Sequence, residues 1–232
     1  MTRAIDILDL SFRYPKAPQD CLKIASFQVE AGERIFLHGA SGSGKSTLLG
    51  LIGGVLQASQ GAVKVLGNDL VTMRPALRDR LRADHLGFIF QQFNLIPYLS
   101  VMDNVLLPCR FSAQRKQRAG TDLQQEARRL LAHLQLEGVE QTPVTQLSVG
   151  QQQRVAAARA LMGRPEIIIA DEPTSSLDSD RQAAFLELLL QECTAANAAL
   201  IFVSHDRRLA THFHREIALL DINQAATQEI SA

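Results

Sequence analysis

Gly39-Ala40-Ser41-Gly42-Ser43-Gly44-Lys45-Ser46-Thr47 matches the phosphate-loop pattern G-x-x-x-x-G-K-[ST]. It lies between two apolar runs, Ile35-Phe36-Leu37 and Leu48-Leu49-Gly50-Leu51-Ile52. That order reads as strand, loop, helix. Glycines let the backbone curl so that several N–H groups converge on one anion, and the following helix aims its positive end at the same place. Lys45 has the reach for the outer phosphates of a nucleoside triphosphate, and the Ser46 hydroxyl can ligate Mg²⁺. A plain Gly/Ser turn before a helix is the competing reading, and the flanking context weighs against it.

A second element supports the first. Ile167-Ile168-Ile169-Ala170-Asp171-Glu172 is an apolar run ending in two acids. It is too short for a helix and does not alternate, so it reads as a strand buried on both faces of a parallel sheet. Ligands of open α/β sheets sit at the carboxyl ends of strands, which places these acids with the phosphates. Asp171 is expected to hold Mg²⁺, directly or through water, and Glu172 to polarise the attacking water as a general base. A third element is Leu147-Ser148-Val149-Gly150-Gln151-Gln152-Gln153-Arg154. Ser148 is a good N-cap for the Ala-rich helix that follows, whose free N–H groups suit phosphate. Alone it would read as an ordinary capped helix.

The 232 residues suffice for one large domain or a core with a subdomain. Lys+Arg and Asp+Glu are both 24, so no net charge draws the chain to nucleic acid or anionic lipid. Arg128-Arg129 and Arg207-Arg208 read as solvated faces. Cys21, Cys109 and Cys193 are scattered and odd in number, which argues for small apolar fillers in a reducing compartment. Asp6 interrupts the place where a secretory leader needs its apolar segment, and no apolar run approaches the ~18 residues that span a bilayer.

Residues 3–10 alternate as a strand, with Ile5, Ile7 and Leu10 on the buried side. Strands are also predicted at 22–29, 63–67 and 199–204, and helices at 76–83, 151–163 and 180–193. Leu123, Ala127, Leu130, Leu131 and Leu134 mark an amphipathic helix. Residues 112–121 are polar and patternless, which predicts a mobile loop. Strands alternating with helices around a phosphate loop mean an α/β sheet. The middle, about 92–150, breaks the alternation and predicts a separate helical lobe.

Together these residues resemble the ATP-binding cassette family over nearly the whole chain and in the family's order. Residues 39–47 look like its Walker A motif, 167–172 its Walker B motif, and Leu147 to Gln151 its LSGGQ signature. Gln91 sits where the family has its Q-loop glutamine, Ser175-Ser176-Leu177-Asp178 look like the D-loop, and His205 looks like the switch histidine. The resemblance implies one nucleotide-binding domain over 1–232, with a RecA-like P-loop NTPase core at about 1–91 and 151–222. It also implies an N-terminal antiparallel β region, an inserted α-helical subdomain at about 92–150, and a tail at 223–232. It implies ATP and Mg²⁺ as cofactors, with Ser46, Gln91 and Asp171 on the metal. Glu172, His205, Gln91 and Lys45 are the implied catalytic residues, His205 sensing the γ-phosphate. Tyr14, with Phe12 as the rival ring, is placed to stack on adenine. Residues 39–47 would cradle the phosphates (Gly39, Ala40, Ser41, Gly42, Ser43, Gly44, Lys45, Ser46, Thr47). Ser148, Gly150, Gln151 and Asp178 would complete the nucleotide site of a partner copy.

The resemblance further implies a head-to-tail homodimer closed by ATP, each signature helix capping the other's nucleotide. Residues 86–97 and 101–108 look like cassettes of the macrolide-exporter and lipoprotein-releasing group. Those pair with integral membrane permeases and transmit motion across the membrane. The expected location is cytoplasmic, peripheral on the inner face of the cell membrane through the permease, with no nucleic acid partner. Phe93, Leu95, Ile96, Pro97 and Tyr98 would offer a groove to a permease helix, or fill the join between lobes. Two departures stand out: Val149 replaces the first signature glycine, which predicts reduced ATPase activity, and Leu219-Leu220-Asp221-Ile222-Asn223 lacks a glycine turn. The alternatives are a soluble cassette ATPase uncoupled from transport, and a nucleotide kinase. The first would carry a coiled-coil insertion or a second cassette, and the second would need neither the signature nor His205.

Overall fold

The computed structural model describes residues 3–175 and 177–225. The chain forms two compact units, one of residues 1–82 and 201–232 and one of residues 83–200.

In the first unit, β1 (Arg3–Phe12) lies between β2 (Leu22–Glu30) and β4 (Gln60–Val65), and β5 (Asn68–Asp69) extends β4. All three pairings are antiparallel. Ile5 and Ile7 are buried at odd positions, but Leu10 and Phe12 are buried at even ones. The switch occurs at Asp9, whose φ is 48°, where the register with β4 shifts between Leu8 and Ser11. A bulge moves the side-chain alternation by one and keeps the apolar face inward. β3 (Arg34–His38) feeds the phosphate loop and α1 (Lys45–Ile52). It pairs in parallel with β9 (Arg215–Ala218) and neighbours β8 (Ala199–Val203), whose first two residues belong to the second unit. Phe36, Phe202 and Phe213 pack ring to ring at 5.3 to 6.3 Å. The unit ends in a short helix, α8 (Leu219–Ile222), where no glycine turn is needed. α2 (Pro75–His85) crosses the boundary between the two units.

In the second unit, β6 (Leu86–Ile89) and β7 (Ile167–Asp171) run in parallel, and the Ala199 N–H at the start of β8 bonds the Glu166 carbonyl. β7 and β8 are buried along their length, as expected for strands covered on both faces. Helices α3 (Val101–Phe111), α4 (Ala113–Arg118), α5 (Leu123–His133), α6 (Val149–Leu161) and α7 (Ser179–Ala195) complete it.

The architecture is therefore mixed α/β, with a parallel P-loop sheet, an N-terminal antiparallel sheet and a run of helices between β6 and β7. One expectation is overturned. Residues 113–118 are not a loop but α4. Ser112 caps it by accepting the Arg115 N–H, and Arg115 itself is buried, its guanidinium donating to the Ala160 carbonyl at 2.5 Å. Burial lowers that guanidinium to about 10. The helix docks through an arginine rather than an apolar stripe, so no apolar pattern marks it. Pro108 lies within α3. Cys21, Cys109 and Cys193 are in no disulfide, and the last two are buried. Among the described residues no helix is long and apolar enough to cross a membrane.

Candidate active site

The phosphate loop leaves the end of β3 and turns into α1 through Gly44, whose φ of 104° no side-chain-bearing residue adopts readily. A Cβ there would also meet Leu22 Cδ2 at 2.7 Å, so β2 forms the seat of the loop. No side chain caps α1 at Gly44 and no acid sits in its first turn, which leaves the positive end of the helix uncompensated. Lys45 is 7% exposed, and its ammonium donates to the carbonyls of Gly39 (2.8 Å) and Ala40 (2.9 Å). Ser43 Oγ is buried without a hydrogen-bond partner. A buried cation, an orphan hydroxyl and an uncapped helix end are together a fit for a chain of phosphates.

Thr47 Oγ1 is turned away from that work. It shares a hydrogen bond with Tyr14 Oη at 3.0 Å and accepts one from Cys21 Sγ at 3.6 Å. Tyr14 is thereby tethered beside α1 while 43% exposed, whereas Phe12 is buried and meets the Tyr14 ring edge-on at 4.8 Å. Of the two rings only Tyr14 offers a face to a ligand. His205 is exposed just beyond β8. The Ser204 N–H donates to the Leu37 carbonyl at 3.3 Å, so its loop leaves the same end of the sheet as the phosphate loop. Arg207 on that loop pairs with Glu216, which also meets His38 just ahead of Gly39.

The remaining predicted residues lie in the second unit. Asp171 is the last residue of β7, and Glu172 follows with φ 47°, both half-buried. Left-handed φ at a non-glycine residue marks a position held by its surroundings. Among the described residues no three His, Cys, Asp or Glu side chains form a metal cage. The Asp171 carboxylate and the Ser46 hydroxyl are hard oxygen donors of the kind Mg²⁺ takes. Gln91 is exposed on the turn after β6. Beyond it Phe93 and Asn94 are both left-handed, with φ of 57° and 50°. Arg159 of α6 donates to both of their carbonyls at 2.7 Å. Asn104, fully buried in α3, accepts the Ile96 N–H (2.8 Å) and donates to the carbonyls of Ile96 (3.1 Å) and Ser100 (3.0 Å). Tyr98 is 83% exposed and Phe93 only 9%. A shallow cavity of about 270 Å³ lies between Gln92, Phe93, Leu95, Pro97 and Gln152.

Ser148 and Gln151 form a reciprocal cap at the start of α6, the Ser148 hydroxyl accepting the Gln151 N–H and the Gln151 amide accepting the Ser148 N–H. Val149 is 51% exposed at the first turn. The nearest atom to a Cβ on Gly150 would be Leu177 Cδ2, at 3.7 Å. Asp178 caps α7 by accepting the Arg181 N–H and also pairs with that arginine. Ser176 lies outside the described residues.

A family model described as ABC transporter matches residues 22–175. The chain is 38% identical over 224 residues to a macrolide export ATP-binding/permease protein, MacB, of Salmonella choleraesuis. The chain belongs to the ABC transporter family. It spans about a third of the length of the macrolide-export proteins it matches, covering 95% of itself and 34% of the relative. A lipoprotein-releasing system ATP-binding protein, LolD 2, of Rhodospirillum rubrum is 38% identical over 214 residues, covering 92% of this chain and 91% of its own. Among solved structures, the ATP-binding cassette MJ0796, dimeric in a post-hydrolysis state with ADP and Pi, superposes with a TM-score of 0.80 at 34% identity. That match covers 92% of this chain and 93% of that one.

For this cassette the structure adds residues that sequence reading passed over. Asn104 and Arg159 brace the turn after Gln91. Asn223, read only as lacking a glycine, is 2% exposed and accepts the Lys23 N–H (2.9 Å) while donating to the Cys21 carbonyl (3.1 Å). A charged residue inside the Ala-rich run of α6 was the available signal for Arg159. Asn223 had none.

Proposed function

We propose that this chain is the ATP-binding and ATP-hydrolysing subunit of a transporter, dimerising on ATP to drive an integral membrane permease of the mechanotransmission or export type. The observation that carries it is the Lys45 cradle on an uncapped α1, within a chain of the ABC transporter family. Lys45 draws the outer phosphates, and the loop amides of residues 39–47 fix their position. Tyr14 takes the base on its open face. Ser46, Asp171 and Gln91 hold Mg²⁺, which when bound neutralises charge on the phosphates. Glu172 accepts the proton of the attacking water, and His205 holds that water in line. Ser148, Gly150, Gln151 and Asp178 serve the nucleotide of the second copy. Relatives named for macrolide export and lipoprotein release support the permease partner and a location on the inner face of the membrane. Tyr98, Pro97 and the cavity beside them are the docking point we assign to a permease helix.

The test is Glu172→Gln with ATP in native membranes, followed by recovery of bound partners and mass spectrometry. Removing the base should trap the closed dimer, and a permease with a large extracytoplasmic domain should co-purify. Recovery of ribosomes or DNA-bound proteins instead would overturn the transport reading.

A further inference from the structure

We propose that Arg159 is a positioning residue for the nucleotide reaction: it fastens the turn carrying Gln91 to the signature helix, so that the two move as one piece. The inference rests on the role proposed above for Gln91.

Phe93 and Asn94 are consecutive left-handed residues with Cβ atoms, a conformation that does not persist without outside support. The Phe93 side chain is buried beneath the turn, and its N–H bonds the Phe90 carbonyl at 2.9 Å. Arg159 supplies the rest. Its guanidinium reaches both carbonyls at 2.7 Å, the short distance of charge-assisted bonds. Burial alone lowers its pKa, with no acidic neighbour contributing. A partly desolvated cation answered by two carbonyls is an unfavourable way to fill space, and a methionine would fill it better. The charge is explained if its work is to hold that turn. The same helix begins eleven residues earlier at Ser148, about 16 Å away along the axis. A displacement of the Gln91 turn is therefore delivered to the signature without an intervening loop.

The experiment compares the full chain with Arg159→Met and Arg159→Lys. Amide hydrogen exchange without nucleotide should quicken over residues 92–97 in Arg159→Met and stay unchanged over 39–47. Binding of a fluorescent ATP analogue should stay within about twofold of wild type. The kcat for ATP hydrolysis should fall about tenfold, equivalent to ~1.4 kcal/mol, with KM within about twofold. Arg159→Lys should recover part of the loss, because an ammonium is a single point donor. It also carries the comparison should Arg159→Met fail to fold. Unchanged exchange over 92–97 would overturn the fastening. Quickened exchange with unchanged kcat would overturn the positioning role, and parallel losses in kcat and analogue binding would mark general damage instead. A wild-type protein without ATPase activity would overturn the proposed function, while the exchange data would still decide the fastening.

Discussion

Asn223→Ala tests whether the far end of the chain builds the seat of the phosphate loop. The Asn223 side chain accepts the Lys23 N–H at 2.9 Å and donates to the Cys21 carbonyl at 3.1 Å, while its contact with the Ser43 carbonyl, at 3.5 Å, is too long to count. Between those two partners lies Leu22, the residue packed under Gly44. Asn223 Oδ1 also accepts the Ala225 N–H at 3.1 Å. Truncation therefore strands two donors and one acceptor in a part-buried place. At about 1 kcal/mol each, the loss is roughly 3 kcal/mol. For a chain of 232 residues that converts to about 6 to 12 °C in melting temperature. The chain has no tryptophan, so far-ultraviolet circular dichroism without nucleotide is the suitable assay. An Asn223→Ala melt within about 2 °C of wild type would refute the reasoning, because three stranded groups cannot cost so little.

Gly44→Ala should abolish ATP-analogue binding, and adding Leu22→Ala to clear the 2.7 Å contact should not restore it, because φ at 104° remains; recovery in the double variant would mean that space alone matters. Gly87→Ala puts a Cβ 2.3 Å from the Ala160 carbonyl and 2.6 Å from Ile168 Cδ1, so β6 and α6 must part; we expect a loss of about 3 kcal/mol or more, read by urea unfolding. Burial would raise the Glu166 pKa, but hydrogen bonds from His85 and Arg118 outweigh it and hold the carboxyl below its usual value. Its stabilisation is present above the unfolded pKa of about 4.3 and lost as pH falls through the lower folded one. Glu166→Gln should thus melt below wild type at pH 7 and converge with it in acid, and a gap that widens in acid would contradict this. Val149→Gly should raise ATP turnover of the isolated protein, because the exposed β-branched side chain at the first turn of α6 is the one departure in the signature; unchanged turnover would clear Val149.

The local geometry of the motifs was legible because each motif carries its own local cause. A glycine with φ of 104° before a lysine, an apolar strand ending in an acid with a second acid next, and a serine three residues ahead of a glutamine all act through neighbours in sequence. Strand alternation was legible for the same reason, except that Asp9 moves the buried set from odd to even positions. A bulge of that kind is fixed by the partner strand, and nothing within β1 announces it. The residues that hold the motifs in place were not legible. Arg115 makes α4 a helix by reaching 45 positions along the chain to Ala160, and Arg159 shapes the turn after Gln91 from 65 positions away. Arg115 is buried and Arg159 half-buried, and an apolar pattern cannot point to a charged group at either place.

That contrast separates two kinds of polar residue in this cassette. On the proposed function, those named by motif present groups to a ligand, and their identity follows from phosphate and metal chemistry. Arg115, Arg159, Asn104 and Asn223 present their groups to backbone carbonyls and N–H groups, and their identity follows from the cost of leaving such groups unmade. The bonds have a direction that an apolar contact lacks. An isoleucine at Asn104 could fill the same space, but it could not stop the 96–100 loop from sliding. Packing would then fix the distance between the Gln91 turn and α3 without fixing its register. The amides and guanidiniums are the parts that hold this loop to its neighbours, and on the proposed function a firmly held loop is what would carry a push at its surface towards Glu172.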